Sequence, residues 1–293
     1  MERILNNSSS KLTTNDKARL YTNLSLFYEK NGDTAKQKYY LKEAVKMNPT
    51  APNAFDALGR FYLRNNSENN KQKALALFEK ACLLNGDMKY RYNYAIAQYL
   101  CGNTAKAKIL FEAIPEDGQE YRAALYGLGV CSFFSGEKQQ AINIANRLAV
   151  NCNEDYVTES QVADLYFLCD EYARHNEMYD YSTDNYYLDE NLLAPYFYSL
   201  YKQGKSEELS RKFKEVMSAK DNDIAYSKTE ELDENYTETD REECIRSYQK
   251  EKEAIAAVYD KIINEHYKPD ITINLYPIYG CYLIDCPRHQ LIT

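Results

Sequence analysis

Histidine is scarce, tryptophan is absent, and no apolar run in these 293 residues approaches the length of a membrane span. Each shortage excludes something. Three histidines, His175, His266 and His289, leave few groups for acid or base chemistry near neutral pH. No Walker loop, dinucleotide-type glycine fingerprint or nucleophile elbow occurs. Cys169 and His175 lie six residues apart, on or near the end of one expected helix, so they need not meet as a nucleophile and base. Only 10 glycines and 7 prolines argue against a sheet-rich or linker-rich chain, so helices should dominate. Short apolar runs exclude an integral membrane segment, and the polar start lacks the apolar core of a secretory signal. Several of the eight cysteines fall on apolar helix faces, where a thiol acts as a small hydrophobe in a reducing compartment. The expected location is cytoplasmic, and no enzymatic activity is expected.

What the chain does have is a repeat. Tyr21, Leu24 and Tyr28 form an apolar stripe, Gly32-Asp33 breaks it, and Leu41, Ala44 and Pro49 mark a second helix and its end. The pattern returns with Phe55, Leu58-Gly59 and Tyr62, then Ala74, Phe78 and Ala81, after about three extra residues in the polar stretch 65–70. A third unit carries Tyr92, Ala95, Tyr99, Gly102-Asn103, Ala107 and Phe111; a fourth carries Leu125, Leu128-Gly129, Gly136, Ala141 and Leu148. Gly102 to Gly136 and Ala107 to Ala141 are both intervals of 34. Small residues at Gly59, Ala81, Ala95 and Gly129 let paired helices approach, and large residues nearby fill the remaining space.

These residues resemble the tetratricopeptide repeat family, over residues 17–152 and extending toward 219, with Tyr21, Phe55, Tyr92 and Leu125 where tryptophan is usual. The resemblance implies an all-α, right-handed superhelical solenoid of helical hairpins. The expected organisation is a flexible N-terminus (1–16), repeats (17–152), degenerate hairpins (153–219), a mobile acidic loop (220–236), a capping helix (237–267) and an extended or β tail (268–293). Within it, residues 157–174 place Val162, Leu165, Tyr166, Cys169 and Tyr172 on one helical face. Residues 192–203 and 207–219 form a hairpin about Gly204, and Thr239 is a candidate cap for the last long helix. Ile271, Ile273 and Leu275 alternate with polar residues, so the tail reads as short strands or an extended segment, packed on the capping helix or paired with a partner's edge.

In the family the first helix of each hairpin lines a concave groove. Carried over, its outward positions are Arg19, Thr22 and Leu26; Asp56, Arg60, Leu63 and Arg64; and Tyr126, Val130 and Phe133. In the third unit Lys89 and Tyr92 are ambiguous by one residue. Thr22 and Leu26 do not supply the Lys and Asn of the two-carboxylate clamp, which argues against a chaperone C-terminus as ligand.

The net charge of −8 is unevenly spread. Residues 1–152 hold 21 Lys or Arg against 14 Asp or Glu, a balance of +7 that suits an acidic peptide; residues 153–190 hold 1 against 11, or −10. That second stretch interleaves Tyr179, Tyr181, Tyr186 and Tyr187 with Asp180, Asp184, Asp189 and Glu190, a composition suited to a basic protein surface. An acidic chain does not suit nucleic acid. Cys281, Cys286 and His289, with His266 as a candidate fourth ligand, have donors zinc accepts, although the C-x4-C-x2-H spacing is not a strong signature.

Two function classes follow. One is a non-enzymatic scaffold that binds a protein or peptide through the groove and the acidic Tyr-rich surface, such as a bacterial immunity or regulatory protein. The alternative is a zinc-dependent module in the tail, supported by the repeats.

Overall fold

The structure, a computed structural model, describes residues 12–64, 67–150, 156–183, 190–232 and 236–278, with the side chains of 156, 179–183 and 190 outside that description. Among the described residues there are thirteen helices and no strand. They divide into two compact units, Met1–Glu137 with Leu275–Thr293, and Lys138–Asn274. The division falls at 137/138, not at 152/153 where the visible repeat fades.

The first unit carries α1 (Thr14–Lys30), α2 (Thr34–Met47), α3 (Pro52–Arg64), α4 (Glu68–Leu84), α5 (Met88–Leu100), α6 (Thr104–Glu112) and α7 (Tyr121–Phe134). Side chains that accept orphan N–H groups begin several of them. Thr13 and Asp16 form a capping box at α1, so that helix starts inside the segment expected to be a flexible terminus. Asp33, Ser67 and Asp87 cap α2, α4 and α5. Helices approach closely where glycine faces an aromatic ring. A Cβ on Gly59 would sit 3.0 Å from the Phe78 ring, and one on Gly127 would sit 2.6 Å from that of Phe111.

The second unit carries α8 (Lys138–Ala149), α9 (Tyr156–Leu168), α10 (Tyr172–Thr183), α11 (Glu190–Lys202), α12 (Ser206–Thr229) and α13 (Glu238–Glu265). Its core gathers Phe167 with Phe197 and Leu200 of α11, Val216 of α12 and Ile255 and Ile262 of α13. Phe213 and Tyr259 stack at 3.9 Å between ring centres.

The expected single helix over 157–174 is two helices, because Asp170 turns the chain at φ 58°. It does what Gly102, Gly136 and Gly204 do at φ +79°, +80° and +72°. At all four the residue's N–H donates to the carbonyl three back, and the next N–H donates to the carbonyl five residues before it. For Asp170 these are Asp170 to Phe167 at 3.1 Å and Glu171 to Tyr166 at 2.8 Å. Positions 102, 136, 170 and 204 are successive intervals of 34, so the period continues past residue 152 with an aspartate in place of one glycine. Aspartate is among the few other residues that visit this conformation. Its carboxylate accepts from Lys138 at 2.8 Å, Lys268 at 2.9 Å and Tyr172 at 2.7 Å. Burial opposes ionisation there, but these donors outweigh it and hold the carboxyl well below its ordinary range.

Two other expectations are corrected. The acidic loop over 220–236 is helical as far as Thr229, because Val216, Lys220, Ile224 and Ser227 form a buried stripe at helical spacing. Lys220 donates to Glu251 of α13 at 2.7 Å, which permits a cation on that face. The cap of α13 is Thr237, in a capping box with Asp240, rather than Thr239.

Candidate functional site

The site grows from one polar residue in an aromatic run, the asparagine of Tyr92-Asn93-Tyr94 on α5. All three side chains are buried, but Tyr92 packs on Phe111, with ring centres 5.7 Å apart. Asn93 instead faces α3, where its Nδ2 donates to Asp56 Oδ1 at 2.7 Å. The other Asp56 oxygen accepts from Arg60 Nε at 3.1 Å. A carboxylate can only accept, so Asp56 fixes which way the Asn93 amide points. That orientation lets Asn93 hold both main-chain groups of Ile278. Nδ2 donates to the Ile278 carbonyl at 3.0 Å, and Oδ1 accepts the Ile278 N–H at 2.7 Å.

The electrostatics centre on a buried ion pair. Asp56 is 0% exposed and Arg60 4%, and each offsets the other's charge. Tyr90, also buried, has its phenol pushed well above its ordinary value by burial and then by the Asp56 carboxylate. Arg64, at the end of α3, is exposed and pairs with Glu29, which also accepts from Gln37 at 2.8 Å. The positive balance of the N-terminal half is therefore locally neutralised at Arg60 and Arg64.

The other expected groove residues are distributed along the first helices. Arg19 is half-buried on α1 and Thr22 is buried, its hydroxyl donating to the Ala18 carbonyl at 2.9 Å. On α7, Tyr126 and Val130 are fully buried, while Phe133 is half-buried with its ring edge-on to Phe134. The structure brings Arg60 to Asp56 and adds Asn93, which sequence reasoning missed. The available signal was the isolated asparagine among tyrosines, masked by the one-residue ambiguity of the third unit.

Of the acidic Tyr-rich stretch, Tyr179, Asp180 and Tyr181 lie on α10 and Glu190 begins α11, with their side chains outside the described residues; Asp184, Tyr186, Tyr187 and Asp189 lie wholly outside. Cys281, Cys286 and His289 also lie outside. His266 ends α13 at φ 56°, and its Nδ1 shares a 2.5 Å hydrogen bond with the Tyr201 hydroxyl. Among the described residues no three His, Cys, Asp or Glu side chains gather as a metal site. The Cys169 Sγ donates to the Lys138 carbonyl at 3.9 Å, and burial pushes the thiol up to about 11, so it is protonated at neutral pH. His175 instead contacts Ser199 Oγ and Asn176 Oδ1, both at 3.1 Å.

The described part of the tail has no strand. Ile271 packs against the core cluster of the second unit, while Leu275–Ile278 belongs with the first.

No family model matches the chain. It is 30% identical over 113 residues to mouse (Mus musculus) superkiller complex protein 3, a match spanning 38% of this chain and only 7% of that protein. Among solved structures it is similar to Pseudomonas aeruginosa pilF, with TM-score 0.56, 20% identity, and coverage of 73% of this chain and 97% of that one. A tetratricopeptide repeat protein from Parabacteroides merdae gives 0.53 and 17%, covering 85% and 99%. PilW, described as a widely conserved type IV pilus biogenesis factor, gives 0.59 and 18%, covering 69% and 92%. At these identities the likeness establishes the fold: the hairpins are of the tetratricopeptide type. No helix among the described residues is long and apolar enough to cross a membrane.

Proposed function

We propose that this chain is a non-enzymatic protein-binding scaffold, and that the face formed by α3 and α5 holds an extended polypeptide segment. The carrying observation is the side-chain amide of Asn93 satisfying both the N–H and the C=O of one residue of an extended segment. Such a contact recognises main chain in any sequence and leaves selectivity to pockets for the flanking side chains. Asp56 and Arg60 support the reading because they hold the amide in one orientation. The mouse relative is named as a complex component, which accords with a scaffold.

The partner is a protein with a basic surface, for which the segment 153–190, with 1 base against 11 acids, provides a second contact. An immunity or regulatory role in the cytoplasm fits such a partner. Neutralising Asp180, Asp184, Asp189 and Glu190 should then weaken capture at low salt. The zinc alternative rests on Cys281, Cys286 and His289, and metal analysis of purified protein separates it from the scaffold.

The groove is tested by selecting twelve-residue peptides from a displayed random library on the full chain. Enriched peptides should lose at least about tenfold in affinity (about 1.4 kcal/mol) on an Asn93→Ala variant of unchanged helical content. Equal affinity for both proteins would contradict the reading.

A further inference from the structure

We infer that Leu275–Ile278 is an intramolecular copy of the segment a partner presents, so that the partner binds by displacing this chain's own C-terminal region. The inference rests on the scaffold reading and adds the partner's chemistry to it. Asn93 and Ile278 are 185 residues apart in sequence, so nothing local to the chain forces them together. The four residues present a pattern. Leu275 is 4% exposed, Tyr276 is 67% exposed, and Pro277 and Ile278 are half-buried. Leu275 and Pro277 are thus more covered than Tyr276 between them, the alternation of an extended chain, while Ile278 is held through its main chain by Asn93. Pro277 supports this by its fixed φ and by biasing Tyr276 toward extended backbone.

The occupant that fits is thus an extended segment of the form apolar, any residue, proline, apolar, gripped through the main chain of its fourth position. Charge is compatible with an apolar segment, since the Asp56 carboxylate beside Asn93 is paired with the Arg60 guanidinium. A segment tethered in the same chain is present at an effective concentration of order millimolar, so it outcompetes weak ligands and makes the groove selective for strong ones.

The test uses a fluorescent peptide of residues 270–280, titrated into the full-length wild type and a full-length Leu275→Asp/Ile278→Pro variant. The double substitution buries a charge and removes the N–H that Asn93 accepts. The variant should bind the peptide at least about tenfold more tightly than wild type, following from the millimolar tether, and a further Asn93→Ala change should abolish that gain. If the double variant loses helical content, Ile278→Pro alone replaces it. Equal affinity for variant and wild type would overturn the occlusion and leave the scaffold reading standing. Binding to neither protein, while library-selected peptides still bind, would show that the C-terminal segment is no groove ligand. Only failure of the library peptides as well would remove the scaffold reading.

Discussion

Replacing Asp170 by glycine and by alanine separates the two tasks of that residue, holding a left-handed turn and anchoring two lysines. The turn at φ 58° costs a residue with a Cβ about 1 kcal/mol relative to glycine, at the low end of the usual penalty. The side chain receives Lys138, Lys268 and Tyr172, but it is 47% exposed, so solvent screens the two ion pairs to less than about 1 kcal/mol each. Together the three donors are worth about 2 kcal/mol. Asp170→Gly therefore loses about 2 and regains about 1, a net loss of about 1 kcal/mol. Asp170→Ala regains nothing and should lose about 2 to 3 kcal/mol. Urea denaturation followed by helical ellipticity, with m-values compared to confirm the same transition, measures the difference. If alanine proved as stable as glycine, the turn would not need a left-handed residue. Position 170 would then not continue the 34-residue period through its conformation.

Gly127→Ala should destabilise more than Gly59→Ala, by about 1 to 3 kcal/mol in thermal unfolding, because its Cβ would lie 2.6 Å from the buried Phe111 ring against 3.0 Å for Phe78. Comparable losses would show that Phe111 can yield. Burial lowers the His175 imidazole to about 4, so the unfolded state takes up a proton first as pH falls through about 6.5. Stability from this residue is full above pH 6.5 and declines by on the order of 3 kcal/mol toward pH 4. A His175→Gln variant should lose that slope in pH-dependent denaturation, and an unchanged slope would assign it elsewhere. Asp170 acts in a lower window: its depressed carboxyl contributes fully above the ordinary value of 3.8, and the contribution is lost progressively as pH falls from there through the lowered folded-state value. Asp56→Ala removes a fully buried carboxylate from a guanidinium that is 4% exposed, at about 3 kcal/mol, and Asp56→Ala/Arg60→Met should restore most of it. Failure of the double variant to recover would mean that the pair is not the main contribution of Asp56.

The hairpins were legible where glycine, alanine and aromatic residues recur at fixed offsets. They became illegible where a different residue performs the same physical task. Asp170 hid a turn because aspartate replaces glycine there, and the lysine and tyrosine contacts that hold it come from residues 138, 172 and 268. The second half of α12 looked like a loop because its buried stripe includes Lys220 and Ser227, polar residues accommodated through contacts with α13. Asn93 was missed because Tyr90, Tyr92 and Tyr94, all buried, leave the register of α5 open by one residue. The groove residues Asp56 and Arg60 were read from the repeat, but their pairing with one another, and their link through Asn93 to Ile278, joins segments that no local pattern relates.

Amide hydrogen exchange at Ile278, compared between wild type and Asn93→Ala, tests the central contact most directly. The Ile278 amide in wild type should exchange at least about tenfold more slowly than an unstructured peptide, and this protection should disappear in the variant while the helices stay protected. Exchange of Ile278 in wild type at the unstructured rate would contradict it, because Asn93 would then not hold the segment in solution.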